Sequence, residues 1–140
     1  MLVASLLMFA VLGTAIAQDA KPYKDGPVRQ VTFVKIKPGQ FSNYMKYLDS
    51  QYKTTMDAMK KAGLITSYAV YETRARSPQD PDVVLAVTYA NMAALDRTDE
   101  ADAVMSKTAG SQDQRDKAAS DRESMRELIG SQLMRELILK

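Results

Sequence analysis

The segment 41–61 carries the clearest periodic pattern in the chain and limits the folds that the remainder can adopt. Its apolar side chains recur at steps of three and four residues, which places them on one face of an α-helix. They are Phe41, Tyr44, Met45, Leu48, Tyr52, Met56 and Met59. Gly63 follows where a helix commonly ends in a left-handed conformation. The pattern predicts an amphipathic helix, and such a helix needs an apolar surface to cover.

Four segments have the composition of β-strands and would supply that surface. The first, 28–37, is rich in β-branched residues and ends at a Pro-Gly turn. Segments 64–73 and 82–90 flank a proline-containing loop that is typical of a hairpin, and the more apolar 82–90 is predicted to lie centrally in the sheet. Segment 131–140 is interpreted as a last strand, with a helical end as the alternative.

A second helical region separates the last two strands. Asn91 is a plausible N-cap for a short helix, and the polar stretch 97–126 is predicted to be mostly helical. We expect a break near Ala109 and Gly110, and an end to the helix at Gly130. The element order is then β-α-β-β-α-β, which predicts an α+β, ferredoxin-like fold: a four-stranded antiparallel sheet with its helices on one face.

The other face of this sheet would carry apolar side chains with no helix to cover them. Val83, Leu85 and Val87 alternate along one strand with Val84 and Ala86, so both faces are apolar. Leaving such surface in water costs about 25 cal/mol per Å². Pressing two sheets together across a twofold axis removes that cost, so we expect a homodimer through the open sheet face.

Three stretches of the chain carry a resemblance to a known superfamily. They are VTFVKIKPGQF, the helix end KKAGLI, and DVVLAVTYANMAAL at the entry to the second helical region. Through them the chain resembles the dimeric α/β-barrel superfamily, and its stress-responsive and NIPSNAP-like branches in particular. The resemblance covers 28–139 and implies a homodimer whose two sheets enclose a barrel-like cavity. Haem-degrading members typically bind iron through histidine, which is missing here, so haem is not expected.

The first 17 residues have the features of an export signal. An apolar run over 2–12 is followed by Gly13 and by the small-x-small sequence that ends at Ala17. This run is shorter than the roughly 20 residues of a membrane span. We expect cleavage after Ala17, a periplasmic or secreted product without stable membrane insertion, a flexible lead-in over 18–27 and one domain over 28–140. No basic residue precedes the run, so an uncleaved anchor helix or an upstream start remains an alternative.

Composition excludes several classes of chemistry. The chain has no cysteine and no histidine, which removes disulfides, thiolate nucleophiles, Ser-His-Asp triads and ordinary zinc sites. Its net charge is only +2, and basic and acidic residues are interspersed, so the footprint of a nucleic-acid binder is missing. No residue is predicted to be catalytic or to bind a metal, and no cofactor is expected.

Polar residues within the predicted strands are the candidate ligand-binding groups. Tyr68, Tyr71 and Tyr89 could donate hydrogen bonds to a ligand in the cavity, and Glu72 and Arg135 could supply charge there. Each also has a structural interpretation. A strand tyrosine commonly packs with its hydroxyl at the rim, and charges on the last strand would discourage further pairing at a sheet edge.

These features predict an exported homodimer that binds a small apolar or aromatic ligand, or serves in envelope stress, without classical catalytic residues. Two alternatives remain open. The first is a cofactor-independent, monooxygenase-like or isomerase-like enzyme acting on an aromatic substrate in the barrel cavity. The second is a purely structural interaction domain, whose interface would be filled by side chains.

Overall fold

The computed structural model describes residues 21–140, so the predicted export signal lies outside the described residues. In chain order the elements are β1 (Tyr23–Ile36), α1 (Phe41–Tyr47), a π-helical segment (Leu48–Tyr52), α2 (Lys53–Lys61), β2 (Ser67–Glu72), β3 (Val83–Tyr89), a 3₁₀ segment (Met92–Asp96), α3 (Thr98–Ala109), α4 (Gln112–Arg122) and β4 (Arg126–Leu139). Within 21–140 none of the helices combines the length and the apolar character that crossing a membrane requires.

The strands form one antiparallel sheet in the order β2-β3-β1-β4. With its helical connections after β1 and β3, this arrangement is the ferredoxin-like βαββαβ fold. The predicted fold class is therefore confirmed. The central position predicted for the apolar strand 82–90 is also confirmed, because β3 lies between β2 and β1.

The predicted amphipathic helix is confirmed over 41–61. It runs as α1, the π-helical segment and α2 without a break between them. Gly63 follows with φ of +68°, the left-handed conformation expected of a C-terminal glycine. Asn91 also has its predicted capping role: its side chain accepts a hydrogen bond from the backbone N–H of Ala94 at the start of the 3₁₀ segment.

One face of the sheet is covered by α1, the π-helical segment, α2 and α3. Two hydrophobic clusters form this core. The first comprises Val34, Tyr44, Leu48 and Val83, and the second comprises Met59, Leu64 and Ile65. Val34 and Val83 are cross-strand partners, which shows that these two strands present the same face to α1.

The opposite face has none of the described helices over it. Strand alternation and register place Val31 and Phe33 of β1, Val84 of β3, Tyr71 of β2 and Met134 of β4 on this open face. Tyr71 and Met134 are 53% and 39% exposed. We call this surface the open face.

Two sequence predictions are wrong at their boundaries. The part of the lead-in within 23–27 is not a flexible segment, because it belongs to β1 and pairs with the end of β4. A bulge accommodates the pairing at Gly26, where a Cβ atom would lie 3.0 Å from the carbonyl oxygen of Glu136. The last strand begins at Arg126, so Gly130 lies inside β4 opposite Phe33 and does not end a helix.

Candidate functional site

A cleft of about 450 Å³ separates two groups of helices on the covered side of the sheet. We call it the interhelical cleft. One wall comes from α1, the π-helical segment and α2, and the other comes from α3 and α4. The side chains that matter for its chemistry are Tyr52, Met56, Met105, Arg115, Ala118 and Arg122. Its volume lies within the range of about 300–1,000 Å³ that is typical of small-molecule sites.

Tyr52 supplies an unusual polar atom to this cleft. It lies at the end of the π-helical segment, a local irregularity that often accompanies functional sites. Its ring packs edge-to-face on Tyr68, with the centroids 6.0 Å apart. The hydroxyl is buried and has no hydrogen-bond partner among residues 21–140. Burial, reinforced by neighbouring tyrosines, raises the pKa of Tyr52 well above its ordinary value, so the hydroxyl keeps its proton and remains a donor.

Arg122, at the end of α4, lies on the other wall of the cleft. Its guanidinium lies over the ring of Tyr47, 4.9 Å from the ring centroid, in a cation–π contact. Its Nε is buried and has no hydrogen-bond acceptor within the described part of the chain. No ion pair within 21–140 includes Arg122. The arginine therefore brings a positive charge that no carboxylate neutralises within the described residues.

Arg115 differs from Arg122, since both of its terminal nitrogens are engaged. It forms an ion pair with Asp102 of α3 and also donates to Gln112, to Ser106 and to the carbonyl of Gly110. These contacts tie the start of α4 to α3. Arg115 thus builds the wall of the cleft, while Arg122 leaves bonding capacity unused.

The five ligand-binding candidates from the sequence do not converge on this cleft. None of them lines it. The register of the sheet places Tyr71 on the open face, whereas Tyr68, Glu72, Tyr89 and Arg135 lie on the helix-covered face. Because the two faces are separated by the sheet itself, one pocket within a single chain cannot hold all five.

Three of these candidates, Tyr68, Tyr89 and Arg135, have local roles in the structure. Tyr68 donates a 2.7 Å hydrogen bond to Asp57. The hydroxyl of Tyr89 lies 3.5 Å from the side-chain oxygen of Gln30, and burial raises its pKa. Glu72 is exposed.

Arg135 forms an ion pair with Asp25, with 3.3 Å between the nearest atoms. Its strand, β4, lies at the edge of the sheet, where charged side chains discourage pairing with another strand. The structural interpretation of Arg135 in the sequence analysis predicted this position.

Sequence reasoning missed that Tyr52 and Arg122 line the same cleft. Tyr52 was expected on the core face of the first helix, and it does lie beside that core. Arg122 belongs to a helix with no buried residue, where nothing in the local pattern distinguishes it from other surface charges. The cleft exists only because α4 returns alongside α1, which is a tertiary arrangement.

The described residues include no group of three or more Asp or Glu side chains placed to bind a metal ion. The lining of the cleft offers hydrogen-bond donors, apolar walls, an arginine without an ion pair, and the carboxylate of Asp116, whose partner is the neutral Gln112. Such a combination can bind and orient a small molecule.

Comparison with known proteins gives a structural class. No family model matches the sequence, and no curated protein matches it. Solved structures do match. A dimeric ferredoxin-like protein from an uncultured marine organism superimposes with a TM-score of 0.53 at 11% identity, over 84% of this chain and 98% of the other.

Two further structures share the fold. HapK from Hahella chejuensis has a TM-score of 0.52 at 12% identity, over 78% of this chain and 91% of its own. Protein SO0527 from Shewanella oneidensis has a TM-score of 0.51 at 14% identity, over 83% of this chain and 98% of its own. The predicted resemblance to dimeric ferredoxin-like proteins is confirmed at the level of the fold. The finer assignment to stress-responsive and NIPSNAP-like branches stays a prediction.

Proposed function

We propose that this protein is an exported homodimer that binds a small apolar or aromatic molecule in the interhelical cleft and does not catalyse a reaction. The observation that carries the binding function is the buried, unpartnered hydroxyl of Tyr52 at a cleft of small-molecule size. A buried polar group without a partner lowers the stability of the fold by about 1–3 kcal/mol, so its presence in a folded protein needs an explanation. A ligand acceptor would offset that cost.

Binding is favoured over catalysis by the state of the titratable groups at the cleft. The Tyr52 hydroxyl is held in its protonated form, which makes it a poor base. The carboxylates of Asp102 and Asp116 are engaged with Arg115 and Gln112 respectively. Among the described residues, the cleft therefore has no hydroxyl hydrogen-bonded to a carboxylate that could activate it as a nucleophile.

The homodimer is supported by the apolar surface outside the cleft. The open face presents Tyr71 and Met134, and the exposed apolar side chains continue along β4. On β4 they are Leu128, Ile129, Leu133, Met134, Leu137, Ile138 and Leu139. An exposed apolar patch of this kind marks an association surface. Alternation along β4 places Ile138 on the open face with Met134, whereas Leu133 and Leu137 share the face of Arg135. A second copy of the chain, placed face to face, would cover the part of the patch that lies on the open face.

Native mass spectrometry of the protein purified from the periplasm tests the proposal. We expect a mass of two chains, each beginning at Gln18, and a small-molecule adduct that is released on denaturation. A monomer would overturn the homodimer, and chains that retain residues 1–17 would overturn export with cleavage. Adding a ligand to the purified protein tests the interhelical cleft separately from the homodimer and from export.

Met134→Lys is the matched test of the interface. It puts a charge on the open face beside Arg29, its cross-strand partner, and we expect the variant to be monomeric. Lys117→Gln on the solvent side of α4 serves as the control and should remain dimeric. If both variants were dimeric, another surface would have to hold the two chains together.

A further inference from the structure

We infer that the ligand of the interhelical cleft is a planar aromatic molecule carrying one anionic group, with a carboxylate as the simplest case. Arg122 and Tyr52 would bind the anion, and the methionine-lined and alanine-lined walls would hold the ring. This inference rests on the proposed function of the cleft and names the chemical class that it selects.

An arginine without an ion pair favours an anion at one end of the cleft. Of the two arginines that line the cleft, Arg115 is neutralised by Asp102. Arg122 forms no ion pair among residues 21–140, its guanidinium lies over the ring of Tyr47, and its Nε donor is unused. A guanidinium binds a carboxylate through two parallel N–H donors, and Nε is commonly one of them. Tyr52 adds a neutral O–H donor from the opposite wall.

The remaining walls favour an aromatic body. Met56 from α2 and Met105 from α3 face the cleft, together with Ala109, Ala118 and Ala119. Methionine sulfur makes favourable contacts with aromatic rings, and its flexible side chain adapts to their shape. The small alanines leave room for a flat molecule between the helices. The apolar lining thus complements the cation at one end.

The ligand would enter by a displacement of α4. In this structure both Tyr52 Oη and Arg122 Nε are shielded from solvent. No residue of α4 is buried, whereas Tyr44, Leu48 and Met59 anchor the opposite wall. Elements with few buried contacts open at the lowest free-energy cost. A small outward movement of α4 would therefore expose the Nε donor of Arg122.

Two probes of matched shape test the inference: 2-naphthoate, which is anionic, and 2-naphthamide, which is neutral. Isothermal titration calorimetry with the full-length protein should show naphthoate binding about tenfold more tightly, as a charge-assisted hydrogen bond predicts. The ε-methyl NMR signals of Met56 and Met105 should shift on binding. The signal of Met134, on the open face, should not.

Variants assign the preference to Arg122. Arg122→Gln should remove the preference for naphthoate while leaving naphthamide binding unchanged. Lys117→Gln removes the same charge from the exposed side of α4 and should keep the preference. Tyr52→Phe should weaken naphthoate binding severalfold with the fold intact, which keeps the test valid should Arg122→Gln fail to fold.

The outcomes separate the inference from the proposed function. Equal binding of both probes, with shifts of Met56 and Met105, would overturn the anionic class and leave a small-molecule site in the cleft. Binding of neither probe, or binding that shifts only Met134, would overturn both. An unchanged preference in Arg122→Gln would overturn the role of this arginine.

Discussion

β1 and β4 are paired along their length and each has 14 residues, yet their side chains have opposite environments. β1 lies inside the sheet, and its Val28 and Val34 are fully buried. β4 lies at the edge, and every residue after Arg126 is exposed. Both strands carry long runs of apolar residues. Their difference in burial thus arises from position in the sheet and not from composition.

This comparison shows where a single chain is incomplete. An exposed, apolar edge strand of this length is a template for association. β1 has a strand partner on each side, β3 and β4, and α1 covers one of its two faces. β4 has a partner on one side only, and its open-face side chains Met134 and Ile138 belong to the surface that the proposed homodimer would cover.

Placing a lysine on each strand tests the comparison most severely. We expect Val34→Lys to abolish folding, since a buried unpaired charge costs more than about 4 kcal/mol. Met134→Lys, at a position 39% exposed in the single chain, should still fold and should lose mainly the stability that dimerisation contributes. Urea unfolding followed by circular dichroism measures both. A folded Val34→Lys protein would contradict the assignment of the core.

Asp82 and Glu127 flank Lys35 of β1 from opposite sides and give a second contrast. Asp82 accepts hydrogen bonds from the Ile36 backbone N–H at 2.8 Å and from Lys35 Nζ at 3.0 Å. Glu127 of β4 is exposed and lies opposite Lys35. Asp82→Ala should lower the free energy of unfolding by about 1–2 kcal/mol, and Glu127→Ala by less than about 0.5 kcal/mol.

Acid should remove the contribution of Asp82 as well. Burial acts to raise the pKa of this carboxyl, but the Ile36 N–H and Lys35 together hold it below its ordinary value of 3.8. A lowered pKa stabilises the fold above that value, and the stability is lost as the pH falls through the folded-state pKa. The difference in the free energy of unfolding between the parent and Asp82→Ala should therefore shrink in acid. A difference that does not change with pH would contradict a lowered pKa of Asp82.

Tyr52→Phe tests the polar atom within the helix-covered region. Removing a buried hydroxyl that lacks a partner should raise the free energy of unfolding by about 1 kcal/mol. Tyr68→Phe is the matched control, because it removes a hydroxyl bonded to Asp57 and should lower stability by about 0.5–1 kcal/mol. If both variants lost stability, the Tyr52 hydroxyl would have a partner, and the argument for a ligand acceptor would fail.

Alkaline pH should destabilise the covered side of the sheet through its tyrosines. Burial raises the pKa of Tyr44, Tyr52 and Tyr89 above the ordinary value of 10.0, so the folded chain retains protons that the unfolded chain loses. Stability is then constant below that value and falls as the pH rises beyond it. Unfolding measured between about pH 8 and about pH 11 checks this. Tyr52→Phe should show a shallower fall.

The smallest effect is expected where β1 and β4 meet at their exposed ends. The ion pair between Asp25 and Arg135 is open to solvent on both sides. Asp25→Asn should change the free energy of unfolding by less than about 0.5 kcal/mol, and salt should change it little further. A larger loss in urea unfolding would show that this ion pair holds the two strand ends together.

Local sequence signals predicted most of the fold. The three- and four-residue period between Phe41 and Met59, the cap at Asn91 and the glycine at position 63 each depend on neighbours within a few residues, and each is confirmed. The break near Gly110 is confirmed too, with φ of +86° at that glycine. Such signals act through backbone conformation, which nearby residues control directly.

The predictions were wrong where pairing between distant segments decided the structure. Segment 126–130 has a weak helical pattern, but it becomes strand because it pairs with 33–36 of β1. Tyr23 appeared to belong to a polar lead-in, and it becomes strand through pairing with Leu139. Ladder hydrogen bonds to a partner about 100 residues away outweighed local propensity at both places.

By itself, the sequence determined the order of elements, the ferredoxin-like class, and the exclusion of thiol and imidazole chemistry. Tertiary structure alone decided which sheet face the helices cover, and it placed Arg122 opposite Tyr52. The physical reason is that periodicity records only the alternation of a strand's two faces, and not which of them is covered. Likewise, a surface arginine gains its role only from the wall that the folded chain brings against it.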